Sequence, residues 1–88
     1  MAYRVELKPA AEESLAKAPK AQRKRIGKKI DQLANDPRPR GVEKLAGQEN
    51  LYRVRAGDYR IIYQIHDDVL LVVVVRVGNR GDVYRHLR

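Results

Sequence analysis

LYRVRAGDYRIIYQI, Leu51 to Ile65, decides the fold. Tyr52 to Ala56 and Tyr59 to His66 both alternate with the period of a strand, and Ala56-Gly57-Asp58 between them suits a tight hairpin. With Gly57-Asp58 as a two-residue loop, Ala56 pairs with Tyr59, Arg55 with Arg60, Val54 with Ile61, Arg53 with Ile62 and Tyr52 with Tyr63. One face then carries Tyr52, Val54, Ile61 and Tyr63. The other carries Arg53, Arg55, Arg60, Ile62 and Gln64. A hairpin that gathers three guanidinium groups on one face works against its own stability. That conflict asks for a function.

The next run, Val69 to Val77 (VLLVVVVRV), does not alternate and reads as an interior strand covered on both faces. A short turn at Asp67-Asp68 would set Val73 beside Ile62 and Val75 beside Arg60. The arginine face would then have an apolar floor.

Toward the N-terminus, Ala2 to Leu7 alternates and reads as a first strand. Pro9 suits the first position of a helix, with Glu12 and Glu13 favourable in its first turn. Ala11, Leu15 and Ala18 mark its apolar stripe, and Pro19 ends it. A second helix spans about 20–34, with Ile26, Ile30 and Leu33 facing the core. Lys20, Arg23, Lys24, Arg25, Lys28 and Lys29 fan around its other sides, most simply as a solvated face. Asn35 to Gly41 (NDPRPRG) is a breaker, and GVEKLAGQEN reads as a loop or short turn. Residues 82–88 suit a short C-terminal helix. The class is α+β, in the order β-α-α-β-β-β plus a tail. Two helices should pack on one face of a small, mostly antiparallel sheet.

At 88 residues the chain is expected to form a single domain over residues 1–88. It has no cysteine, hence no disulfide framework, and no cluster of residues that suggests a metal. The start MAYRVELKP lacks the apolar core of a signal peptide, and the longest apolar run, Val69 to Val75, is too short to span a bilayer. A cytoplasmic protein without a membrane partner is expected. Nineteen Lys and Arg against 11 Asp and Glu leave a net charge of +8, which points to a polyanionic partner.

Arginine stays protonated and binds phosphate oxygens bidentately, so a phosphate explains the cluster at Arg53, Arg55 and Arg60. Pairing within the chain to Glu43, Glu49, Asp58 or Asp82 is the alternative, and it suits one arginine better than all three. Arg80 and Tyr84 are four residues apart, so a helical tail would bring both to one side. Plain packing explains Tyr84 equally well. The two histidines, His66 and His86, are poorly placed to act as an acid/base pair.

The segments KLAG (44–47), YRVRAGDYRIIYQI (52–65) and VGNRGDVYR (77–85) resemble the RelE/ParE superfamily of bacterial toxins over nearly the whole chain. Within it the chain is most similar to the RelE branch of ribosome-dependent mRNA endonucleases. The resemblance implies a type II toxin that cuts mRNA in the ribosomal A site. It implies catalytic roles for Arg53, Arg60, Arg80 and Tyr84, and RNA contacts at Arg55 and Lys44. Arg53 and Arg55 stand where the best-known members carry lysines. The chemistry implied is attack of an RNA 2′-hydroxyl on the adjacent phosphate, without metal or other cofactor. Tyr84 would be the base, its ordinary pKa of ~10 lowered by nearby guanidinium charge. Arg53 and Arg60 would stabilise the phosphorane, and Arg80 the leaving oxygen. The implied partners are the ribosome, mRNA and a cognate antitoxin with an acidic tail that doubles as a DNA-binding repressor. Two alternatives stand beside this: a ParE-like inhibitor of gyrase with no nuclease activity, and a non-catalytic RNA- or ribosome-binding module.

Overall fold

The computed structural model describes residues 2–47 and 49–79. Its order is β1 (Arg4–Leu7), α1 (Pro9–Lys17), α2 (Lys20–Asn35), β2 (Glu43–Lys44), β3 (Leu51–Ala56), β4 (Tyr59–His66) and β5 (Leu71–Asn79). These strands form one sheet in the order β1-β5-β4-β3-β2. The β1–β5 pair is parallel and the others are antiparallel. The expected α+β class is therefore found, with β2 added as a two-residue edge strand where a loop was expected. The tail expected over 82–88 lies outside the described residues.

Pro9 opens α1, where its missing N–H costs nothing, and the break at Ala18-Pro19 separates α1 from α2. Both helices bury their apolar stripes on one face of the sheet. Ala11, Ala18, Ile26, Ile30 and Leu33 meet Val54, Ile61, Tyr63, Val72, Val74 and Val77 there. Fully burying a side chain such as Ile26 or Ile61 contributes about 1.5–3 kcal/mol, so this face supplies most of the cohesion. On the opposite face only a small cluster forms, from Leu51 and Ile62 with Leu45 and Val75 against them.

The β3–β4 hairpin has the two-residue loop expected of it, with Ala56 opposite Tyr59 and Arg55 opposite Arg60. Gly57 has a φ of +64° while Asp58 does not enter the left-handed region, the pattern of a type II′ turn. Gly57 also lets a side chain of α2 approach closely. A Cβ at Gly57 would lie 2.7 Å from Nη1 of Arg25 on α2. The basic helix thus closes directly onto the hairpin tip.

The β4–β5 connection differs from the expectation. It is a four-residue turn over 67–70, not a two-residue loop at Asp67-Asp68. Val73 therefore pairs with Gln64 rather than Ile62, and Arg60 faces Gly78 rather than Val75. Asp67 is drawn away from a tight turn by tertiary partners. Arg38 reaches both of its carboxylate oxygens, at 3.1 and 2.8 Å, and the Tyr3 hydroxyl donates to it at 2.6 Å. Leu70 takes a φ of +52° so that its carbonyl can accept from the Arg4 N–H at 2.8 Å. A register shift between Ile62 and Tyr63 adds a β-bulge that sets Arg76 opposite Ile62.

Candidate functional site

Directly paired strand residues project to the same side of a sheet. Arg53, Ile62 and Arg76 thus form one row across β3, β4 and β5, and Arg55, Arg60 and Gly78 form the next. Both rows lie on the face away from the helices. Ile62 is fully buried and Val75 packs beside it, so the apolar floor exists, with Val75 reaching it through the bulge. Arg55, Gly57, Asp58, Arg60 and Asn79 line an open groove of about 600 Å³ at the hairpin end.

The charges on this face are only partly balanced. Arg53 pairs with Glu43 at 2.5 Å across the β2–β3 ladder, and it is the less exposed partner, 17% against 61%. Among the described residues, Arg55, Arg60 and Arg76 have no ion pair. The Nε of Arg76 is buried and has no hydrogen-bond partner. Intramolecular pairing therefore accounts for one of the three expected arginines. The arrangement can hold an anion with several oxygens over a surface from which water is partly excluded, where each charge acts more strongly than in bulk solvent.

The other expected residues fall elsewhere. Lys44 pairs with Tyr52, so the edge strand puts it on the helix-bearing face, exposed, away from the arginine rows. Arg80 and Tyr84 lie outside the described residues. His66 ends β4, six residues from Arg60, or roughly 20 Å along the strand. Its Nε2 is 3.4 Å from Oε1 of Gln64. No group of three His, Asp or Glu side chains among the described residues could hold a metal ion.

Two features escaped the sequence reading. One is Arg76, although a lone charge within VVVVRV was a visible signal. The other is a clamp at the far end of the sheet. Arg38 lies over the Tyr52 ring at 5.3 Å while binding Asp67. Tyr52 stacks on Tyr63 with ring centres 6.0 Å apart, and the buried Tyr63 hydroxyl donates to the Pro37 carbonyl at 2.7 Å. Burial pushes the Tyr63 phenol well above its ordinary pKa. The Arg38 and Tyr3 hydrogen bonds hold the Asp67 carboxyl down at about 2. Its partners are all within the chain, and it belongs to the scaffold rather than to the arginine face.

A five-stranded mixed sheet with two helices on one face is a fold shared with known proteins. Residues 5–84 match the family model described as the ParE toxin of type II toxin–antitoxin systems. The chain belongs to this RelE/ParE toxin family. It is 33% identical over 88 residues to a RelE-like toxin protein of Escherichia coli, covering 96% of this chain and 92% of the relative. The mRNA interferase toxin RelE of Escherichia coli K12 is 31% identical, with the same coverage. The RelE–RelB complex of Pyrococcus horikoshii contains a chain that superposes with a TM-score of 0.81 at 34% identity, covering 93% of this chain and 99% of that one. The chain is thus a RelE-like toxin of the type II class.

Proposed function

We propose that this chain is an endoribonuclease that cuts mRNA in the ribosomal A site and so stops translation. The reading is carried by one observation, the convergence of Arg53, Arg55 and Arg60 on one sheet face over buried Ile62. It is supported by a relative named as an mRNA interferase. The 2′-hydroxyl of one nucleotide attacks the adjacent phosphorus, and the P–O bond to the next 5′-oxygen breaks. The products are a 2′,3′-cyclic phosphate and a 5′-hydroxyl. Arg53 and Arg60 take the charge that builds on the phosphoryl oxygens. Tyr84, as its phenolate, accepts the proton of the attacking hydroxyl; Arg80 supports the departing 5′-oxygen, which takes up a proton from water. The step uses no metal ion. Arg55 holds the RNA backbone, with Lys44 as a more distant contact at the sheet edge. The ribosome supplies the alignment of hydroxyl and phosphorus, a contribution worth up to several kcal/mol of barrier.

The partners on this reading are the ribosome, mRNA and a cognate antitoxin, and the place of action is the cytoplasm. Relatives of this fold are known in complex with RelB. The antitoxin would be a DNA-binding repressor with an acidic segment that covers the arginine face.

The family description names ParE, so gyrase inhibition is the reading to test against. Arg60→Ala combined with Tyr84→Ala should abolish growth arrest on induction, with the protein still folded. Undiminished toxicity of that double variant, together with inhibited supercoiling by purified gyrase, would sink the nuclease reading.

A further inference from the structure

Arg76 has no place in the chemistry above, yet the sheet delivers it to the same face. It stands opposite Ile62, which stands opposite Arg53. Two strand spacings separate Arg76 from Arg53, roughly 10 Å. It comes to this face through the bulge, which turns both Val75 and Arg76 away from the helix-facing Val74 and Val77. It has no ion pair among the described residues, and its buried Nε has no partner. A guanidinium in this state has unmet donors, and turning outward over Ile62 would offer Nε and one Nη together to a single oxyanion. Packing of an aliphatic stem with its charged head in water would explain an arginine at a strand edge. It does not explain a buried Nε without an acceptor on an interior strand.

We propose that Arg76 is a second phosphate-binding group of this face, holding a phosphodiester next to the one that Arg53 and Arg60 hold. The inference rests on the RNA-cleaving reading in taking single-stranded RNA as its ligand. Arg76 is a positioning residue: it fixes the strand so that the reacting phosphate lies between Arg53 and Arg60, and it touches no reacting atom.

The test is binding of a short 2′-O-methyl oligoribonucleotide, which cannot be cut, to the full chain freed of antitoxin. Arg76→Met keeps the apolar stem and removes the charge. It should bind about tenfold more weakly, and the slope of log K against log salt should flatten by about 0.7, the loss of one phosphate contact on a single strand. Arg76→Lys should restore the slope and only part of the affinity. In the wild-type chain the Arg76 Nε–H resonance should shift and become protected from exchange as RNA is added, a readout that needs no variant. An unmoved resonance, or equal affinity and slope in Arg76→Met, overturns the proposal. Cleavage on ribosomes is scored separately. RNA held through Arg76 with mRNA left intact would refute the nuclease reading alone. Cleavage with binding indifferent to Arg76 would refute this inference alone.

Discussion

Arg55 and Arg60 face each other across the hairpin, as strict alternation around Gly57-Asp58 required. Two unit charges about 4 Å apart repel by about 1 kcal/mol in water and about 4 kcal/mol at the lower dielectric near a protein surface. Arg55 is exposed and Arg60 half-buried, so solvent screens part of their mutual repulsion. An incoming phosphate attracts both guanidinium groups and offsets their repulsion, so the same geometry that destabilises the empty face favours its ligand. Glu43 already does this for Arg53. Since the Glu43 carboxylate is largely exposed, Glu43→Gln should change stability by less than about 1 kcal/mol in thermal melts. It should also tighten binding of the 2′-O-methyl oligoribonucleotide by roughly two- to fivefold, because the Glu43 carboxylate no longer competes for Arg53. Weaker binding in that variant would mean that Glu43 orients Arg53 for RNA rather than competing with it. At this scale the sequence was informative wherever alternation ran unbroken. It put Arg53, Arg55 and Arg60 on one face, as the register has them, and offered no face for Lys44, because two residues of edge strand carry no period from which one can be read.

The elements show where local pattern yields to tertiary contact. Both helices, their break at Pro19 and the β3–β4 hairpin follow from periodicity and turn chemistry held within each segment. The β4–β5 turn does not. Asp67 reads locally as a hairpin residue, but its partners are Arg38 in the breaker segment and Tyr3 ahead of β1, 29 and 64 positions away. No window along the chain contains that information, so the register of β5 against β4, and with it Arg76, was not legible. The clamp also has a pH signature. Asp67 has its folded-state carboxyl at about 2, below its ordinary 3.8, so its stabilising contribution is complete above about pH 4 and is lost as pH falls toward 2. Arg38 stays charged throughout, and Tyr3 stays protonated. Between about pH 5 and pH 2, the wild-type chain should lose thermal stability more steeply than Asp67→Asn, which has no proton to gain at this position. Parallel slopes for the two proteins would show that the clamp is not formed in solution.

The chain carries a net charge of +8, and among the described residues two surfaces gather positive side chains. The arginine rows occupy one face of the sheet, and the basic sides of α2 occupy the layer on the other. They meet at the hairpin tip, where Arg25 closes on Gly57 beside the groove. The excess of positive charge at this end steers a polyanion toward the groove and makes association depend steeply on salt. Within the described residues, no helix is long and apolar enough to cross a membrane. The most direct measurement of the central claim is the mapping of mRNA ends on purified, programmed ribosomes after addition of the full chain. New 5′-hydroxyl ends within the A-site codon are predicted, appearing with wild-type protein and absent with Arg60→Ala. Intact mRNA at saturating protein, with the chain bound to the ribosome, would contradict the account and leave a binding module in its place.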